Sequence, residues 1–192
     1  MLRVPENASP YYRIMSLDPG TRTLGICIWE LNLRTHERRV ILSHTLNTDK
    51  MIARHPLIVE NHGEKAAKLL AIEEELFWFM CEWEVHELAT EGPYFRRMVT
   101  AFRALVECIG AIRAALLRYN PYMELHIFDP SSVKNAVGVS GKSGDKDLMR
   151  AAVIERFGHL MADEVDLLTA DEHSIDAIAV GHACITTVLK IQ

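Results

Sequence analysis

The chain has 192 residues, 49% of them apolar and 24% charged, with a formal net charge of −5. That length and balance describe a soluble globular protein built around one core, and no apolar run approaches the roughly 18 residues that a bilayer span needs. The acidic net charge counts weakly against a nucleic-acid partner, because the distribution of charge matters more than its sum, and an acidic metal site carries negative charge that its ions offset.

Residues 1–10, M-L-R-V-P-E-N-A-S-P, contain two prolines and no apolar signal core. They read as a flexible arm ahead of a single domain over 11–192, with no sign of secretion. Residues 11–18 alternate into an apolar run that ends at an acid, and P-G-T-R-T then supplies a turn. Strands over 24–31 and 38–46 complete a three-stranded meander. The polar stretch 47–62 reads as a loop, and 64–83 carries apolar residues at helical spacing. A short strand, V-H-E-L-A-T, ends at Glu91, where Gly92-Pro93 stops it. A long Ala-rich helix over 96–118 ends at Asn120-Pro121, and strand 125–128 ends at Asp129-Pro130. Residues 137–144 form a Gly/Ser loop, Asp145 is placed to cap a helix over 146–157, and a last helix runs from about 170 to 189. Thr169 and Glu172 have the spacing of a capping box for that helix. The order β-β-β-α-β-α-β-α-α predicts an α/β domain whose five-stranded sheet is mixed and flanked by helices on both faces. The cysteines (Cys27, Cys81, Cys108, Cys184) lie far apart in apolar stretches and read as buried free thiols, which suits a reducing cytosol.

The chemistry gathers at element ends. Asp18 closes the first strand and Glu91 the fourth. If those strands are parallel neighbours, both carboxylates emerge at one sheet edge, where open α/β sheets collect their ligand sites. Asp18 in D-P-G also reads as a plain turn residue, and Glu91 as a solvated strand end. His173 and Asp176, spaced i, i+3, share one face at a helix start, where carboxylates are common simply because they complement the macrodipole. Brought together, three carboxylates and one imidazole make an oxygen-rich pocket with a nitrogen donor, suited to Mg²⁺ or Mn²⁺ and to phosphodiester hydrolysis.

Taken jointly, S-L-D-P-G-T-R-T-L-G, A-T-E-G-P-Y-F, F-D-P-S-S-V-K-N-A-V-G with G-K-S-G-D-K-D-L-M, and H-S-I-D-A-I-A-V-G-H-A resemble the RuvC family of Holliday junction resolvases, across roughly residues 13–187. D-P-S-S-V-K-N-A-V is the most distinctive of these segments. The resemblance implies an RNase H-like fold and a Mg²⁺-dependent endonuclease, with Mn²⁺ substituting. It implies two ions per active site, held by Asp18, Glu91, His173 and Asp176. In-line attack by an activated water would leave a 5′-phosphate and a 3′-hydroxyl. Many members carry Asp where this chain has His173, and that departure removes one negative charge and makes activity sensitive to imidazole protonation. Lys134 and Lys146 match basic positions near the scissile phosphate, Lys146 among the catalytic set. Tyr94 or Phe95 matches an aromatic that stacks on an unpaired base. Arg96 and Arg97, directly after it, are phosphate-contact candidates, with Arg22 and the loop residue Lys142 as further DNA contacts.

The partners implied are four-way junction DNA and, because the junction has two-fold symmetry, a second copy of the chain in a C₂ dimer through the Ala-rich helix. No membrane is implied, and the setting would be the cytoplasm of a bacterial or phage-infected cell. The nearest rival is a nuclease of the same fold that debranches flaps and forks. An actin-like phosphate-binding ATPase needs a second acid-Gly hairpin and a longer chain. A DNA-binding module without catalysis would have no use for the acids.

Overall fold

Three strands open the chain and pair as an antiparallel meander: β1 Tyr11–Asp18, β2 Thr23–Asn32 and β3 Arg38–Asn47. The computed structural model, which describes residues 8–94, 99–140 and 146–190, adds β4 Glu87–Glu91 parallel to β1, and β5 Leu125–Phe128 parallel to β4. The sheet order is β3-β2-β1-β4-β5. Parallel neighbours need crossovers, and helices supply them: β3 leads through the short α1 (Thr48–Met51) and the long α2 (Pro56–Glu82) to β4, and α3 (Val99–Tyr119) joins β4 to β5. The chain closes with α4 (Pro130–Ala136), α5 (Lys146–Phe157) and α6 (Glu172–Thr187).

Strand alternation sorts the core into two layers. Met15, Leu17, Leu24, Ile26, Ile28 and Leu88 pack under α2 and α3. Ile14, Cys27, Trp29 and Ala89 face the opposite way, toward α6 with α4 and α5 beside it. β1 and β2 are thus covered on both sides, which is why L-G-I-C-I-W reads as a continuous apolar run. Polar anchors tie α6 down: Ser16 Oγ donates to the Ala177 carbonyl at 2.7 Å, and Trp29 Nε1 donates to that of Ile178 at 3.2 Å.

At its N-terminal end α6 comes so near β2 that a Cβ on Gly25 would lie 2.1 Å from the His173 carbonyl oxygen. Gly25→Ala must therefore push the start of α6 off the sheet. We expect it to cost roughly 1–3 kcal/mol in urea unfolding, the range for overpacking, and to displace His173.

Several elements depart from expectation. The stretch 47–62 is largely helical: Asn47 caps α1 by accepting from the Lys50 N–H, and Pro56 opens α2. Its polar residues are a solvated helical face, and Gly63, at φ 82° and ψ 163°, breaks α2 into two segments where only glycine is comfortable. Asp129-Pro130 starts a helix as well as ending a strand: the Asp129 carboxylate accepts from the N–H groups of Ser131 and Ser132, Pro130 fills the first helical position, and hydrogen bonds from the Ser131 and Ser132 hydroxyls, with a smaller part from those N–H groups, hold the Asp129 pKa down at about 2. Asp171, rather than Thr169, caps α6, and Thr169 Oγ1 bonds back to Asp166. Cys81 is exposed, unlike the other three free thiols. In α3 the small residues Ala111 and Ala115 are buried beside Ile112 and Leu116 in the core under the sheet, while Val99, Val106 and Leu117 of the same helix are exposed. Among the described residues no helix is long and apolar enough to cross a membrane.

Candidate active site

Leu17 of β1 lies beside Thr90 of β4, so the next residue of each strand, Asp18 and Glu91, leaves the sheet at the same edge. By alternation both follow Ser16 and Ala89 onto the face that α6 covers. The first turn of α6 meets them there. Its cap is braced from the sheet: the Asp171 carboxylate accepts from the Ser174 N–H at 2.9 Å and from Thr45 Oγ1 of β3 at 2.6 Å.

That turn carries His173 against Asp18, with Nδ1 2.6 Å from Asp18 Oδ2 and Nε2 2.8 Å from Thr23 Oγ1. An ionised carboxylate only accepts, so Nδ1 carries the proton, and in the neutral ring the Thr23 hydroxyl donates to Nε2. The Asp18 hydrogen bond raises the His173 pKa above its ordinary value, against the opposing effect of burial. Asp176, one turn further on, is pushed up to about 6, first by burial and then by the charge of Asp18. Lys146, at the start of α5, pairs with Glu172, and each stabilises the charge of the other. Lys146 also feels the charges of Asp176 and Asp18, which places it at the margin of the same cluster. A cleft of about 220 Å³ beside Asp176 is lined by Lys146, Asp147, Arg150, Glu172 and Ile175.

Asp18, His173, Asp176 and Lys146 therefore gather as a group, with Glu91 on the neighbouring strand end. Tyr94, three residues beyond Glu91, is 61% exposed and has its ring available for stacking. Arg22 lies in the β1–β2 turn, paired with Asp49 at 2.7 Å. Lys134 sits in the last turn of α4, half-buried. Phe95, Arg96, Arg97 and Lys142 lie outside the described residues. Sequence reasoning misses Thr23, Glu172 and Arg150. Only Thr23 carries a signal, in the T-R-T that follows Asp18, whereas the others depend on how α5 docks on α6.

Among the described residues no three His, Cys, Asp or Glu side chains already converge as a metal cage, and Asp18 is engaged by His173. The donor set is still of the kind a hard divalent cation takes: carboxylates on two strand ends and a helix, plus one imidazole. The repulsion between Asp18 and Asp176 is a cost that such a cation would relieve.

The sheet order and its two helical layers define an RNase H-like α/β fold. Holliday junction resolvases are among the structures that match. RuvC of T. thermophilus, solved in complex with Holliday junction substrate, is similar over 90% of this chain and 92% of its own, with TM-score 0.65 and 16% identity. The fowlpox virus resolvase, solved with its substrate Holliday junction DNA, matches over 92% of this chain and 99% of its own, with TM-score 0.59 and 13% identity. The yeast mitochondrial resolvase Ydc2 matches over 93% and 79%, with TM-score 0.57 and 13% identity. At such identities the likeness is one of fold. No family model matches the sequence, and no curated protein does.

Proposed function

We propose that this chain is a structure-specific DNA endonuclease that resolves four-way junctions. The observation that carries the reading is the juxtaposition of Asp18 with His173 and Asp176 of α6, with Glu91 at the end of the adjacent parallel strand. The fold around them is shared over nearly its whole length with resolvases solved on junction DNA.

Asp18, Glu91, His173 and Asp176 would hold Mg²⁺, or Mn²⁺ in its place, as two ions per active site. Bound there, the ions supply charge neutralisation at the scissile phosphate and acidify the attacking water, with 5′-phosphate and 3′-hydroxyl products. The chain's own residues do the rest. Without a metal, the Thr23 hydroxyl and the Asp18 carboxylate hold the His173 ring between them and fix its tautomer, and ligation would take the Nε2 lone pair over from the Thr23 hydroxyl. Lys146 feels the charges of Asp176 and Asp18, and its ion pair with Glu172 is solvent-exposed, so a phosphate can take it over at little cost. Tyr94 offers an exposed ring to an unstacked base, a contact typically worth about 1–3 kcal/mol. Symmetric paired cuts across a two-fold junction call for two copies of the chain in a C₂ dimer.

The test is cleavage of a synthetic four-way junction, a flap and a duplex at equal salt, with Mg²⁺ or Mn²⁺. Paired nicks in the junction, with the other substrates spared, are expected. Comparable cutting of flap and junction would make the protein a general debranching nuclease, and no cleavage of any substrate with either ion would overturn the reading.

A further inference from the structure

The first turn of α6 is gripped by α5 as well as by the sheet, and the grip centres on Arg150. Its guanidinium donates through Nη1 to the Leu167 carbonyl at 3.2 Å and through Nη2 to that of Ala170. These carbonyls belong to the segment that leads directly into the cap Asp171. Asp166 shapes the same segment by accepting from the Leu168 N–H at 2.8 Å, and Leu167 is its buried anchor. One helical turn before Arg150, Lys146 reaches Glu172 on the far side of the cap. From the sheet, Thr45 holds Asp171 and contacts Ser174 Oγ at 2.9 Å. The entry to α6 is thus fixed on both flanks immediately before His173 and Asp176.

We propose that Arg150 is a positioning residue, which clamps the segment entering α6 and so sets where His173 and Asp176 stand relative to Asp18. A planar fork bridging two carbonyls suits this role, because it fixes direction as well as distance, which a lysine ammonium does not. The arrangement matters because a displacement of about 1 Å in a reacting constellation costs on the order of a hundredfold in rate. Arg150 also lines the cleft beside Asp176, so the competing role is a direct phosphate contact. The catalytic consequence rests on the nuclease reading, whereas the clamp itself does not.

The experiment compares the full-length protein with Arg150→Ala and Arg150→Lys. In the DNA-free protein, amide hydrogen exchange at residues 171–175 should quicken roughly tenfold or more in Arg150→Ala, less in Arg150→Lys, with the amides of β1 and β2 unchanged. On junction DNA the single-turnover rate should fall about tenfold to a hundredfold while junction affinity and its salt dependence stay as in the wild type. Millimolar guanidinium should restore part of the rate in Arg150→Ala. Unchanged exchange at 171–175 would overturn the clamp. So would weakened junction binding with a salt slope shallower by about one, the mark of a lost phosphate contact. If the wild type cuts no junction, the nuclease reading fails while the exchange result still decides the clamp.

Discussion

Asp176→Asn is expected to make the metal-free protein more stable at pH 8, by roughly 2 kcal/mol, while eliminating cleavage. The Asp176 carboxyl is pushed from 3.8 to about 6, by burial first and by Asp18 second. Because the folded value is the higher one, the fold binds this proton more tightly than the unfolded chain does. Its stabilising contribution is full below about pH 3.8 and is lost as the pH rises through about 6. At pH 8 the folded state therefore holds a charged carboxylate at a cost of up to about 3 kcal/mol, at 1.36 kcal/mol per pH unit. Asparagine removes that charge and leaves a buried amide to be satisfied, which brings the expected gain down to about 2 kcal/mol. Urea unfolding in EDTA should show the variant ahead of wild type at pH 8 and the gap closing toward pH 4. Mg²⁺ should raise wild-type stability and do little for the variant. Equal stabilities at pH 8 would mean that Asp176 pays no such penalty. Asp18→Asn should likewise lose at least about a thousandfold in Mg²⁺-dependent cleavage while junction binding persists, since affinity lies mainly in phosphate contacts elsewhere.

How much of this is legible in the sequence depends on the range of the interaction concerned. The meander is legible because β1 to β3 are joined by short turns and carry their pattern locally, down to the acid that closes β1. The strand-end acids are legible as a pair only through the expectation that the strands of Asp18 and Glu91 lie side by side, and the parallel register delivers that pairing. His173 and Asp176 are legible as sharing one helix face, but their facing Asp18 is a product of packing. It depends on a glycine at position 25 that leaves room for the His173 carbonyl, and on a serine at position 16 that reaches Ala177. Helical segments are misjudged where the local signal is polar. Residues 56–62, P-L-I-V-E-N-H, are mostly exposed and bunch their apolar residues at 57–59 instead of spacing them along a helical stripe, and D-P-S-S reads as a stop when it is equally a cap followed by a first-turn proline. Arg150 leaves no trace in the sequence because its partners are backbone carbonyls of a segment whose position only the tertiary structure defines.

His173→Asp is expected to keep cleavage, lower the Mg²⁺ concentration needed for it, and flatten the acid side of the pH–rate profile. The Asp18 hydrogen bond raises the imidazole pKa above 6.5. The stability contributed by the His173 charge is therefore full below about pH 6.5 and disappears as the pH rises through the folded value. Metal holding runs the other way, because only the neutral ring offers a lone pair. Proton and cation thus compete at His173 in the range where they also compete at Asp176, and the wild-type rate should fall more steeply than about tenfold per pH unit on the acid side. Aspartate at position 173 removes the imidazole from that competition and leaves Asp176 to govern the limb, which should then approach about tenfold per pH unit. Without metal the extra charge crowds Asp18 and Asp176, so the variant should be less stable than wild type in EDTA and gain more from added Mg²⁺. A variant that folds and binds the junction but cuts it at no pH would show that the imidazole does something a carboxylate cannot. Proton delivery at Nε2, where the Thr23 hydroxyl now sits, would then be the role to examine.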